Sequence, residues 1–291
     1  MSQKRAVYLI LLGGVFMSFV GLYMRLISQA DGFQILFYRS LSLCLTVAFV
    51  CCLRRCVLPL TFFKSIDKND VFMGSALSLA FSCYVFAMIY TTVASTLLIL
   101  SATPFMAAII GFIWIRERPK KITWITMMFA FIGIFLMVKS GHQLGNNFGN
   151  SMALLSGFSF AAMLVIARKS RKQDVLGGTF IGGVLCCVFG ALVAFLSGTG
   201  LTVLGSDLLI ILIMGAFGIG IGITLVTWGA SYVPAAEVSL LVLIESVLGP
   251  IWPWIFLGEA MTLSEIFGGT LVLGSIVLFA LFNSDIESDL I

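Results

Sequence analysis

Apolar stretches of about twenty residues, separated by short polar breaks, follow one another along the whole chain. A bilayer core of roughly 30 Å asks for about that length of helix. Reading between the breaks places spans at 6–27, 33–53, 71–91, 94–115, 122–139, 149–167, 175–197, 207–230, 236–257 and 264–283. Ten such helices use up nearly all of the 291 residues and leave no length for a separate soluble domain. With 60% apolar residues, 10% charged residues and a mean hydropathy of +1.13, the chain has too little polar surface to face water as a globule, so its solvent is lipid. The first stretch follows Lys4 and Arg5 but runs on to Leu22 without a small-residue cleavage site, and reads as a span rather than a signal peptide. The 29 glycines suit close approach of helix backbones in a membrane.

Short polar residues stand at or near the expected span starts: Asp31, Asp70, Thr123, Asn150, Asp174, Ser206 and Ser264. Each can accept from backbone N–H groups that a helix leaves unpaired at its start. Clusters at Lys4/Arg5, Arg54/Arg55, Lys64/Lys68, Arg116/Arg118/Lys120/Lys121 and Arg168/Lys169/Arg171/Lys172 hold fourteen of the 17 cations, all on one side of the membrane. The positive-inside rule makes that side cytoplasmic and puts both termini there. The net charge of +4 is then an orientation signal, and no folded polar surface remains for nucleic acid. The seven cysteines, among them Cys51, Cys52 and Cys56, lie in or beside apolar runs rather than in extracellular loops, which argues against a disulfide framework. No His lies near them, and the chain's one His, His142, falls in a loop, so neither a metal site nor a cofactor is expected. Short connections and a single loop His also give no convergent nucleophile, and the chain does not read as an enzyme.

Sliding the sequence on itself by 142 residues pairs Tyr90 with Tyr232, Ala94 with Ala236, Leu98 with Leu240 and Glu117 with Glu259. The halves 1–142 and 143–291 each carry five spans. Because five is odd, the second half enters from the opposite face, which makes an inverted repeat. Such symmetry offers two packings of similar energy about a central site, the physical basis of alternating access.

The stretches FYRSLSLCL (37–45), YTTVASTLLILSATPFMAAIIGFIWIRERP (90–119) and SYVPAAEVSLLVLIESVLGPIWPWIFLGEAMTLSEIFGGTLVLGSIVLF (231–279) resemble the EamA-type branch of the drug/metabolite transporter superfamily. Ten spans, a duplicated five-helix unit, an arginine early in the second span and a Glu closing the fourth and ninth spans are features of that family. The Trp-Gly pair common in the family's first span is absent, GGVFMSFVGLYMR standing there instead, and no substrate role is carried onto that segment. The resemblance implies an all-α integral membrane protein whose helices surround a central cavity. It implies a secondary transporter of the bacterial inner membrane that moves amino acids or other small metabolites, frequently outward. The absence of a GxxxxGKS/T phosphate loop agrees that any energy comes from a proton or counter-substrate gradient. An importer of a cationic or zwitterionic nutrient, and a receptor or assembly subunit that transports nothing, are the other readings.

Arg39 lies about seven residues into the second span, where a charge costs on the order of 2.5–3.5 kcal/mol at the helix centre. It is expected either to face the cavity and receive a carboxylate in bidentate fashion, or to brace the fold. Glu245, eight residues into the ninth span, is expected to carry a proton, meet a substrate ammonium or pair with Arg39. At the same repeat offset it is matched by Thr103. Pro104, Pro250 and Pro253 free carbonyls in the fourth and ninth spans and are candidate hinges. Tyr38, Tyr84, Phe86 and Trp228 can wall the cavity. Trp114, Trp124, Trp252 and Trp254 read as interfacial anchors. Glu237 starts the ninth span as a helix-end carboxylate; Glu117 and Glu259 read as ending their helices and defining the gates structurally, the alternative for Glu117 being a gate-locking pair with a cytoplasmic Arg.

Overall fold

The computed structural model describes residues 3–55, 66–91, 93–138, 146–170, 175–258 and 262–284. Glu259, His142, Cys56 and Asp174 lie outside these. Among the described residues, ten helices long and apolar enough to cross a bilayer run Gln3–Leu26, Gly32–Leu53, Lys68–Tyr90, Ser95–Ile115, Lys121–Val138, Asn147–Ser170, Leu176–Leu196, Gly205–Ala230, Ala235–Leu257 and Leu263–Phe282. Each edge falls within three residues of the hydropathy reading, because desolvation of backbone and side chains sets the edges locally.

Asp31 caps the second span as expected, accepting from the Phe33 N–H at 3.2 Å, while three other caps differ from expectation in register. The third span is capped by Asp67, whose carboxylate accepts from the Asp70 N–H at 3.0 Å while Asp70 accepts from the Asp67 N–H at 3.0 Å. Asp70 is thus the reciprocal member of a capping box, not its start. Thr262 and Glu265 do the same for the tenth span in place of Ser264. Asn146 caps the sixth span, and Asn150 instead accepts from the Thr91 hydroxyl at 2.7 Å.

Four spans are not continuous α-helix. The first breaks at Phe19, between Gln3–Ser18 and Val20–Leu26. The fourth divides into Val93–Leu100 and Thr103–Ile115, and the ninth into Ala235–Val242 and Ile244–Leu257. The eighth carries a π-helical segment, Met214–Ile221. Both breaks in the fourth and ninth spans are closed by tight i to i+3 hydrogen bonds, Ala102 N–H to the Ile99 carbonyl at 3.1 Å and Leu243 N–H to the Leu240 carbonyl at 3.2 Å. Pro104 sits in the first turn of its segment, where its missing N–H costs nothing. Pro250 lies inside a helix whose break comes earlier, at Leu243, so the ninth-span discontinuity is not made by this proline.

The fourth- and ninth-span breaks follow the 142-residue offset, whereas the first-span break and the π-helical segment have no counterpart in the other half. Val93–Leu100 maps onto Ala235–Val242, and Ile115 maps onto Leu257. Arg116 (φ 55°) and Gly258 (φ 69°) then end the two helices in the left-handed conformation. The packing obeys the same symmetry. The first span lies on the eighth as the sixth lies on the third, the second on the eighth as the seventh on the third, and the fourth on the sixth as the ninth on the first. The pairs second–seventh, fourth–ninth and fifth–tenth map onto themselves. Gly111, Glu117 and Pro119 at the end of the fourth span share a small cavity with Pro234 and Ala236 at the start of the ninth, so those two helices run antiparallel. The architecture is therefore two five-helix repeats, the second inverted. At the fifth–tenth crossing Gly133 and Gly268 meet backbone to backbone: a Cβ on either would strike the other's carbonyl.

Candidate functional site

Arg39 is held where a glycine-permitted contact and a side-chain hydrogen bond bring two helices together. Gly215, in the π-helical segment, lies so close that a Cβ there would collide with the Arg39 backbone, and the Ser42 hydroxyl donates to the Leu212 carbonyl at 2.7 Å. This fixes the second span against the eighth. π-Helical turns leave backbone groups in altered register and recur at functional sites.

The Arg39 side chain is only 4% exposed, and its Nε and Nη2 find no hydrogen-bond partner. Those two nitrogens form the side-on edge of a guanidinium, the pair that receives a carboxylate through parallel hydrogen bonds. Its face lies 5.3 Å from the Phe81 ring centroid, a cation–π contact that compensates only part of the lost hydration. Tyr84, three residues beyond Phe81 on the third span, is in electrostatic reach of both Arg39 and Glu245. Cys186 of the seventh span is in reach of Arg39. Glu245 stands in the first turn after the ninth-span break. No ion pair or hydrogen bond joins it to Arg39 among the described residues. The two residues come from opposite halves of the repeat, are not paired, and each acts electrostatically on Tyr84.

Tyr38, Thr103 and Phe86 make their contacts outside this cluster. The Tyr38 hydroxyl donates to the Leu201 carbonyl at 2.6 Å, a brace between the second span and the connection after the seventh. Thr103, the repeat mate of Glu245, is buried against Gly157 of the sixth span. Trp228 is half-buried near the end of the eighth. Phe86 belongs to an aromatic cluster with Phe33 at 5.1 Å and Phe189 at 6.2 Å.

At the end of the bundle where the fourth, sixth and eighth spans finish, Arg168 Nε donates to Glu117 Oε1 at 2.8 Å and Arg168 Nη1 to the Ser231 carbonyl at 2.7 Å. One guanidinium thus ties three helix ends. Glu237, 1% exposed, accepts from the Thr123 hydroxyl at 3.3 Å, which links the ninth span to the fifth beside that tie. At the opposite end the Gln34 amide donates to the Gly200 and Thr202 carbonyls at 3.0 and 3.2 Å.

Sequence reasoning placed Trp252 at the membrane surface, but the structure sets it half-buried at the first-span break. Its Nε1–H donates to the Ser18 hydroxyl at 2.8 Å, and its ring stacks on Phe19 at 4.1 Å. Only the unusual pair of prolines around it, Pro250 and Pro253, distinguished it from Trp254, which is 51% exposed. Asp207 was missed as well. It is buried at the start of the eighth span, and a lone acid near a helix start has no sequence signal beyond ordinary capping.

Two proteins of Archaeoglobus fulgidus, both described as an uncharacterized transporter, are similar to this chain. One is 23% identical over 210 residues, covering 69% of this chain and 72% of its own length. The other is 24% identical over 228 residues, covering 78% and 73%. A solved crystal structure superposes with a TM-score of 0.79 over 97% of this chain and 99% of its own, at 16% identity, which bears on the fold alone. Residues 4–139 match the EamA-like transporter family, and residues 147–281 match it a second time. With both matches together spanning nearly the whole sequence, the chain belongs to the EamA-like transporter family.

Proposed function

We propose that this protein is a secondary active transporter that moves a small polar or amphipathic, amino-acid-like metabolite across the bacterial inner membrane by alternating access, in the direction of export or exchange. The observation that carries the reading is the Arg39–Tyr84–Glu245 layer. A buried guanidinium with its side-on edge unsatisfied is expensive in a membrane. Its retention with no acid paired to it fits a site whose complement arrives from outside the fold. The anionic end of a solute would lie on Arg39 and a cationic end toward Glu245, with Tyr84 between them. Thr103 and Trp228 would line the path to either side. Glu245 would also carry a coupling proton, or a counter-substrate would serve the same energetic role.

The Glu117–Arg168 pair would act as the lock of the cytoplasmic gate, since opening between the fourth and sixth spans must separate them. The tight turns before Pro104 and Pro250 would absorb the bending. In this reading the termini face the cytoplasm and the protein performs no covalent chemistry.

Reconstituted vesicles challenged with labelled amino acids, polyamines, nucleosides and vitamins, with and without a pH gradient, test this. Counterflow of at least one small zwitterionic or amphipathic solute is expected. No counterflow with any solute would favour a receptor or assembly subunit.

A further inference from the structure

Asp207 occupies the third helical position of the eighth span, three residues past Leu204, and is 2% exposed. Its carboxylate accepts from three successive backbone N–H groups in the connection between the first and second spans. Oδ2 takes Gln29 at 2.8 Å, Ala30 at 3.2 Å and Ser28 at 3.3 Å, while Oδ1 takes the Ser28 hydroxyl at 3.3 Å. Successive N–H groups converging on one anion form a concave cradle. An acid at this helical position ordinarily bonds back to its own cap residue. Asp207 bonds across the seam between the two repeats, with donors from the first half and the acid from the second.

The repeat supplies a comparison. Asp70 holds the same position in the third span, three residues past Asp67, and is buried against Gly177 at the start of the seventh span. The seventh span is the repeat mate of the second. Each half thus buries an acid at the start of its third helix against the approach to the other half's second helix, one at each membrane face.

We infer that Asp207 is a releasable clasp: it holds the 28–30 connection across one end of the bundle, and letting go opens the way from that face toward the Arg39 layer. The inference rests on the alternating-access reading given above. Apart from the packing of Ile27 and Ala30 on the Ile35, Ile211 and Met214 cluster, the connection is held at this end by hydrogen bonds, which water can exchange. A groove of about 300 Å³, lined by Gln29, Ala30, Asp31, Gln34 and Thr202 among others, already brings room for water to the side of that connection. Water can therefore replace the donors as the connection lifts.

The test uses full-length protein in lipid nanodiscs carrying Ile211→Cys, one turn deeper on the same helix and fully buried. The rate at which a bulky water-soluble maleimide labels it is measured against the parent chain with its native cysteines. Adding Asp207→Asn is expected to speed labelling about tenfold by shifting the population toward the open face. Ser28→Ala deletes one donor and leaves the acid whole; about a two- to threefold gain is expected, and this variant keeps the test open should Asp207→Asn fail to fold. Unchanged labelling in the folded variants would overturn the clasp. Asp70→Asn separates the clasp from the reading beneath it. If the two faces alternate, loosening the opposite one slows labelling at Ile211→Cys. Faster labelling with Asp207→Asn but no response to Asp70→Asn would leave the clasp standing and sink the alternation.

Discussion

Arg168 reaches Glu117 with Nε at 2.8 Å and, through Nη1, the Ser231 carbonyl at 2.7 Å, so that a single side chain spans the ends of the fourth, sixth and eighth helices. Both partners of the ion pair are about a quarter to a third exposed, at 30% and 25%. Solvent screening therefore keeps the pair itself to about 0.5–1 kcal/mol.

Lys cannot reproduce that fork. Arg168→Lys should retain the charge yet lose the Ser231 bond. A double-mutant cycle of Arg168→Gln with Glu117→Gln, read by thermal unfolding in detergent, should give a coupling of about 0.5–1 kcal/mol. In transport assays both single variants should change the rate more than they change stability. Equal, purely additive losses would show that the tie plays no part in gating.

Arg39 offers the sharpest contrast between stability and function. Removing a buried, unpaired charge relieves desolvation, so Arg39→Met should leave the melting temperature unchanged or raise it. Solute counterflow should nevertheless fall at least tenfold, and Arg39→Lys, which lacks the planar edge, should fall nearly as far. Full transport in Arg39→Lys at normal protein level would remove Arg39 from the solute site.

Glu245 makes no ion pair with Arg39, which frees it for a proton or a solute cation. If it carries the coupling proton, a pH gradient should stimulate uptake into vesicles by the wild-type protein, and Glu245→Gln should abolish the stimulation while sparing exchange at equal pH. A flat response from pH 5.5 to 8.5 in both proteins would assign the carboxylate to solute or structure instead.

The fifth–tenth crossing allows a controlled packing test. Gly268→Ala places a methyl against the Gly133 carbonyl and should cost about 1–3 kcal/mol. Gly274, on the same helix, has nothing within 4 Å of the point where a methyl would stand, and Gly274→Ala should be neutral or slightly stabilising. Indistinguishable melting curves for the two variants would contradict the close crossing.

Trp252→Phe keeps a ring to stack on Phe19 but deletes the donor to Ser18. A loss of about 1 kcal/mol is expected, matched by Ser18→Ala and not increased in the double variant. An additive double variant would mean the two residues act separately.

Span edges were legible because transfer into lipid is decided residue by residue over about twenty positions. The repeat was legible too, through a handful of matches such as Tyr90 with Tyr232. The backbone keeps that repeat more closely than the side chains do: the fourth- and ninth-span breaks and the left-handed ends at Arg116 and Gly258 hold the offset even where Thr103 stands opposite Glu245. Caps were legible only to within a turn, because Asp67 and Asp70 are equally good cap residues and only the backbone decides which one precedes the helix.

The chain's pattern of apolar runs, cations and self-similarity thus determined by itself that there are ten membrane helices in two related halves, since lipid solvation and charge asymmetry act locally along the sequence. Tertiary structure alone decided which polar groups meet. Tyr38 and Arg39 are neighbours in sequence, yet one braces the Leu201 carbonyl while the other lies over Phe81 with its side-on edge unmatched. Asp207 and Ser28 are 179 residues apart and share hydrogen bonds. Helix crossings set by glycine contacts and by the inverted pairing of the halves fix those meetings, and a one-dimensional pattern holds no information on the rotation of one helix against another.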